Sequence, residues 1–234
     1  MNRFVVAGAP IVPGELRIPA AAARHGRVAR VAPGEAVEVL DLAGAVGIGA
    51  LLRWEGGGCT VRVERVVTGR GEPPAPLVLA LAALHTAAFD WAVEKATELG
   101  ATAIVPVLAG RVQGGRHEAR TDRWERIAAA AVAQCGRTRP PRVARPLRLA
   151  AFLAEAAGAR LVAEAGAAPP RRLEPGADGI TVLIGPEGGF TAEESAAIRG
   201  AGFVGLSLGP RTLRAETAAV AALALAQSLA GWIR

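Results

Sequence analysis

The chain has 234 residues, 51% hydrophobic, 21% charged and 4% aromatic, with no tyrosine and a formal net charge of +6. Such a composition excludes wholesale disorder and supports one large or two small cores, built from Ala, Val, Leu and Ile rather than from aromatic rings. The opening MNRFVV carries no long apolar stretch, and no run approaches the ~20 apolar residues that cross a bilayer, so a soluble, cytoplasmic protein without a membrane partner is expected.

The first seventy residues read as short strands parted by glycine and proline turns: Phe4–Val6, Glu15–Ile18, Ala36–Leu40, Ala45–Arg53 and Cys59–Val67. One short helix fits at Ala20–Arg30. This is the pattern of a small barrel or sandwich. The turn and breaker residues of Thr68–Pro76 mark a boundary, which places the expected domains at 1–70 and 71–234. Beyond it the pattern alternates. Leu77–Ala83, Ala103–Leu108, Arg160–Ala165, Ile180–Ile184 and Phe203–Leu208 read as strands. Phe89–Leu99, Arg120–Cys135, Leu149–Ala157, Thr191–Ala201 and Ala215–Trp232 read as helices, the first ending at Gly100. That alternation predicts an α/β domain with a largely parallel sheet and ligands at loops beyond the carboxyl ends of its strands.

Cys59 and Cys135 form no Cys-x-x-Cys pair, and His25, His85 and His117 are widely spaced, so neither disulfide scaffolding nor a metal site is expected. Positive charge is almost all arginine, since Lys95 is the only lysine. Residues 111 to 148 hold ten arginines against three acids, which leaves the remainder nearly neutral. Such a cluster can draw a polyanion and offer paired donors to phosphates, or simply solvate a helix and its flanking loops.

Two loops carry the strongest chemical signals. In TVLIGPEGGFTAEE, residues 181–194, a strand ends at Ile184, three glycines allow close backbone approach, and Thr191 with Glu194 has capping-box spacing. The loop has neither the lysine of a Walker phosphate loop nor the dinucleotide G-x-G-x-x-G spacing. In Leu206–Thr217 a second strand ends in glycine, and Arg211, Arg214, Glu216 and Thr217 crowd the entry to an apolar helix. Two such junctions in succession favour a shared site. Lys95 and Glu98 have the spacing of a surface ion pair, and Cys135 reads as a packing residue.

KATELG at 95–100, QCGR at 134–137, LIGPEGGF at 183–190 and LGPRTLRAET at 208–217 together resemble the bacterial RsmE family, methyltransferases that modify N3 of a uridine in the decoding region of 16S ribosomal RNA. Order and spacing agree over residues 73–234, and the early β-rich segment resembles the family's PUA-like RNA-binding domain more loosely. The resemblance implies a SPOUT-class α/β domain with a deep carboxyl-terminal trefoil knot, bound S-adenosyl-L-methionine without metal, and a homodimer. The implied substrate is 16S rRNA in the assembled or nearly assembled 30S subunit.

Carried onto this chain, the cofactor would meet Leu161 and Glu164; Ile184, Gly185, Pro186, Glu187, Gly188 and Gly189; and Leu206, Leu208, Gly209, Leu213 and Thr217. A bulky residue at Gly188, such as valine, is expected to block the pocket or distort its loop. RNA contacts are expected from Arg3, Arg24, Arg30, Arg111, Arg137, Arg139 and Arg142. Arg214 is the expected stabiliser of a uracil anion, with Arg211 adding charge. Glu216 could orient Arg214 or accept the N3 proton; orientation is preferred, because a carboxylate beside arginines is a weak base. The chain departs from the family's usual residues at Ala29-Arg30, Leu42-Ala43, His85, Ala88, Val112, Ala133 and Ala215. Two alternatives remain open on sequence alone: a related enzyme acting on another RNA or atom, and a noncatalytic RNA-binding protein.

Overall fold

The computed structural model describes residues 2–82, 86–111, 120–168 and 170–233; His85 and Val112 lie outside them. The chain divides into two compact units, Met1–Glu72 with Ala129–Pro140, and Pro73–Ala128 with Pro141–Arg234.

The first unit contains β1 (Asn2–Val5), β2 (Gly14–Ile18), α1 (Ala20–Val28), β3 (Ala36–Leu40), β4 (Ala45–Glu55) and β5 (Gly58–Thr68). They form a five-stranded sheet in the order β1-β3-β4-β5-β2, antiparallel except for the β1–β3 pair. Phe4, Ile18, Val37, Val39, Leu51 and Val61 fill its core. Trp54 closes one side, its indole N–H donating to Val31 O at 2.9 Å while the Arg27 guanidinium sits 5.0 Å from its ring.

Two carboxylates tie residues 129–140 into this unit. Glu38, buried on β3, accepts from Arg70 Nη1 at 2.6 Å and from Arg3 Nε at 2.9 Å. Arg3 also donates to Ala133 O and Gln134 O, and Arg70 to Gly136 O. The same arginines therefore satisfy carbonyls at the carboxyl end of a helix, where positive charge is favoured. Glu72 accepts from Arg137 Nη2 at 2.6 Å, from the Thr138 hydroxyl and from the backbone N–H groups of Thr138 and Arg139. Burial works against the Glu72 anion, but these donors hold its carboxyl below the usual range.

The second unit contains β6 (Leu77–Ala82), α2 (Thr86–Glu98), β7 (Ala103–Leu108), the start of α3 (Thr121–Cys135), β8 (Arg142–Val143), β9 (Leu147–Arg148), α4 (Leu149–Glu155), β10 (Ala159–Ala163), β11 (Ile180–Ile184), α5 (Ala192–Gly200), β12 (Val204–Leu206) and α6 (Ala215–Leu229). The sheet runs β12-β10-β11-β6-β7-β8, with β9 also on β7, and every pair is parallel. Both faces are covered, which is why its strands read as continuous apolar runs. Leu77, Leu79, Leu81, Val182 and Ile184 pack with α2 and α6, whereas Ala80, Val107, Val162 and Leu183 pack with Phe152 of α4 and Ile198 of α5. Alanines let α2 and α6 pack closely, and Phe89 and Trp124 supply the bulk, their ring centroids 4.3 Å apart.

Helix ends follow backbone chemistry. α6 stops at Leu229, short of the expected Trp232, because Gly231 takes φ +69° while its N–H bonds Ser228 O and the Trp232 N–H bonds Gln227 O. Gly100 ends α2 in the same way, as expected. The two-residue strands β8 and β9 escape sequence reading because two residues carry no usable alternation.

The Arg70 bond, assisted by Arg3 and opposed by burial, holds the Glu38 carboxyl down at about 2 against an ordinary 4.5. A depressed carboxylate stabilises the fold above its unfolded pKa and loses that contribution as pH falls through its folded pKa. We expect Glu38→Gln to lower stability near neutrality by about 2–3 kcal/mol, a figure reduced because both arginines are partly exposed. In urea denaturation the gap between wild type and variant should stay constant above about pH 5 and shrink progressively from there toward pH 2.

Candidate active site

β12, β10 and β11 are adjacent and parallel, so their carboxyl ends open side by side on one edge of the sheet. The loops that leave them, starting at Glu164, Gly185 and Ser207, surround a cavity of 360 Å³. Strand-end residues Val162, Ile184 and Leu206 contribute apolar lining, as do Ala215 and Ala218 from the first turn of α6. The β11 loop adds Gly185, Pro186, Glu187, Gly189 and Phe190; the β12 loop adds Leu208, Gly209, Arg211, Thr212 and Leu213. Glu164 enters from the β10 end, and Ser195, Ile198 and Arg199 from α5.

The β11 loop is held at several points. Gly189 N–H bonds Pro186 O at 2.8 Å. The expected capping box is present: Thr191 Oγ1 accepts from Glu194 N at 3.2 Å, and Glu194 Oε2 from Thr191 N at 2.9 Å. The other Glu194 oxygen accepts from Gly110 N at 2.7 Å, and Arg111 Nη1 donates to Gly188 O at 2.6 Å. The segment after β7 therefore holds the middle of the glycine loop and the first turn of the helix that follows it. The Glu193 carboxyl is held below its usual range by its own backbone N–H and the Thr191 hydroxyl, with a contribution from Arg111.

Most residues expected at the cofactor site do meet here: Glu164, Ile184, Gly185, Pro186, Glu187 and Gly189 from two loops, with Leu206, Leu208, Gly209 and Leu213 from the third, and Arg211, expected in a catalytic role, lines the same cavity. Leu161 does not line the cavity, since it is buried in the core one layer below. Nor does Gly188. A Cβ there would face the Arg111 side chain at an ordinary 3.6 Å, so one added carbon is accommodated while a larger side chain would press on Arg111. The sensitive position is Gly185, where a Cβ would lie 2.8 Å from the Phe190 ring. Thr217 is exposed outside the lining.

Arg214 is the exposed N-cap residue of α6, and Glu216 lies half-buried in the helix's first turn. Neither forms an ion pair or side-chain hydrogen bond among the described residues. No bond joins Glu216 to Arg214 here, since residues two apart on a helix do not face each other. Of the expected RNA arginines, Arg137 is buried against Glu72 and Arg3 is committed to Glu38, so neither is free for a phosphate. Arg24, Arg30, Arg111, Arg139 and Arg142 are exposed, although Arg111 holds Gly188 O and Arg139 holds Ala43 O. The lining residues that sequence reasoning missed are chiefly Ser195, Ile198 and Arg199. Their 195/198/199 spacing is that of one helix face, but sequence cannot say what that face meets. Among the described residues no group of three or more potential metal ligands occurs, and no helix is long and apolar enough to cross a membrane.

An open parallel sheet with a ligand-sized cavity at the carboxyl ends of neighbouring strands defines a small-molecule-binding α/β domain, and residues 71–227 match the family model of the RNA methyltransferase domain. The chain is 33% identical over 238 residues to the ribosomal RNA small subunit methyltransferase E of a Synechocystis species, covering 97% of this chain and 77% of that one. It is 32% identical over 209 residues to the enzyme of the same name from Mycobacterium bovis, covering 84% and 79%. The crystal structure of the Neisseria gonorrhoeae ribosomal RNA small subunit methyltransferase E, bound to S-adenosyl methionine, superposes with a TM-score of 0.86 at 30% identity over 98% of both chains. The chain belongs to this RsmE family of rRNA methyltransferases.

Removing the Glu194 carboxylate breaks both the capping box and the tie to Gly110. Glu194→Ala should cost about 1 kcal/mol of stability, read as a lowered urea midpoint, and Thr191→Ala in the same background should add little, because the box is already broken.

Proposed function

We propose that this protein transfers a methyl group from S-adenosyl-L-methionine to N3 of a uridine in the decoding region of 16S rRNA, acting in the cytoplasm on an assembled or nearly assembled 30S subunit. The observation that carries this is the convergence of the three strand-end loops on one cavity, together with membership of the RsmE family. The residues present fit the cofactor. Apolar strand ends and alanines offer a slot for a flat base, Gly185 and Gly209 bring backbone close to it, and Glu164, Glu187, Arg199 and Arg211 place both signs of charge around a ligand that bears both. When bound, the cofactor supplies a methyl group already activated by positively charged sulfur.

The chain's own task is to favour the uracil anion and hold it in line. Arg214 can do both. It stands exposed at the start of α6, beside the cavity-lining Ala215, where its guanidinium and the unpaired first-turn N–H groups present positive charge to a uracil oxygen. Arg211 adds a second cation from the cavity rim. Glu216, with no hydrogen bond or ion pair to Arg214 among the described residues, serves the N3 proton or the field of the helix terminus.

The first unit serves as the PUA-like RNA-binding domain, a role supported by its β-rich sheet and by the exposed Arg24 and Arg30. A trefoil knot in the second unit and a homodimer belong to the same reading and rest on membership of the RsmE family.

Gly185→Ala should push Phe190 into the cavity and weaken cofactor binding about tenfold or more, the scale of overpacking, while Gly188→Ala leaves it nearly unchanged; calorimetry with S-adenosyl-L-methionine separates the two. Folded Arg214→Ala should keep most of its cofactor affinity yet lose at least ~10² fold in single-turnover methyl transfer to 30S subunits, with the modified atom mapped by mass spectrometry. Wild-type-like rates in this variant would remove Arg214 from catalysis, and methylation mapped to another RNA or atom would overturn the substrate assignment. Loss of activity in Glu216→Gln that is rescued at high pH would give the proton to Glu216.

A further inference from the structure

Glu164, Glu187, Arg199 and Arg211 all line the cavity, and among the described residues none of the four forms an ion pair. Elsewhere some charges are paired, as in Arg3–Glu38, Arg137–Glu72 and Arg123–Asp90, while exposed arginines such as Arg24, Arg30 and Arg142 stay open to solvent. Unpaired charges of both signs around an otherwise apolar cavity suit a ligand that is itself zwitterionic at one end. Three of the four stand on loops that the sequence already marked. Arg199 does not: it comes from α5, one residue after the buried Ile198 and one turn after Ser195, which lines the same cavity.

Its position is set by the helix rather than by the loops. α5 is fixed at its start by the capping box, along its length by Ile198 in the core, and past its end by Arg160 Nη1, which donates to Ala201 O at 2.6 Å. A guanidinium and a hydroxyl presented from one rigid helical face form a carboxylate receptor, since both donate and the guanidinium is always charged. Arg211, by contrast, rides on the loop that leads to Arg214.

We propose that Arg199, with Ser195, receives the α-carboxylate of the cofactor's amino-acid end and so makes the site specific for adenosyl ligands that keep that carboxylate. The assignment rests on reading the cavity as the cofactor site. It gives α5 a role in ligand choice beyond bracing the glycine loop.

Calorimetry with three ligands tests it: S-adenosyl-L-methionine, S-adenosylhomocysteine, and 5′-methylthioadenosine, which has the same nucleoside but no amino-acid end. Arg199→Ala should weaken the first two about 10- to 100-fold, the range of a hydrogen bond to a charged group, and leave 5′-methylthioadenosine within about twofold of wild type. Arg199→Lys should recover part of the loss and Ser195→Ala should cost less. The side chain is exposed, so circular dichroism and melting should match wild type. Unchanged S-adenosylhomocysteine affinity in Arg199→Ala overturns the proposal, as does equal weakening of S-adenosylhomocysteine and 5′-methylthioadenosine, which would mean altered pocket shape. Failure of the wild type to bind any of the three would overturn the cofactor reading itself, and this assignment with it.

Discussion

Everything at the site depends on the parallel direction of β12, β10 and β11. Parallel neighbours deliver their carboxyl ends to one edge, and the chain leaves each strand there by a loop, which enters α5 after β11 and α6 after β12 and runs on to β11 after β10. In this protein the three exits fall beside one another because Leu161 pairs with both Val182 and Val204, so β10 lies between the other two strands. The cavity is the space those exits enclose. Its floor is apolar because the strand ends and the start of α6 are still part of the core, and its rim is charged because loop residues face solvent.

The arginines divide into two populations with different physics. Arg3, Arg70 and Arg137 are partnered with buried or half-buried carboxylates, the first two also with helix-end carbonyls, and removing one partner would strand a desolvated charge. Arg24, Arg30 and Arg142 are exposed and keep their donors for water or phosphate. Arg111 stands between the groups, exposed yet bonded to the backbone of Gly188, so the segment that follows β7 bears directly on the shape of the glycine loop. The positive cluster that looks uniform in sequence is therefore partly a stability device and partly an electrostatic surface.

The cavity's other wall shows how a structural helix can acquire chemistry. α5 packs Ile198 into the core beside Phe203 and Phe190, and the same face brings Ser195 and Arg199 to the ligand space. A position on such a helix is held more tightly than one on a glycine-rich turn, because capping, burial and the tie from Arg160 all fix the backbone beneath it. The loops supply backbone approach and adaptable contacts, while the helix supplies a fixed charge.

The alternation of apolar runs, Gly100 at a helix end, the Thr191–Glu194 box and the two glycine loops were legible in sequence because each depends on neighbours within a few residues. For the same reason the strands Ala36–Leu40, Ala103–Leu108 and Ile180–Ile184 were placed residue for residue. Family resemblance located most of the cavity loops. Tertiary structure alone decided the rest. It turned Arg137 inward to Glu72, left Arg214 and Glu216 unbonded, set Gly185 rather than Gly188 against the Phe190 ring, and added Ser195 and Arg199 to the cavity lining. Each of these outcomes is set by an atom far away in the chain or by the direction a side chain takes from its backbone, and sequence spacing carries neither.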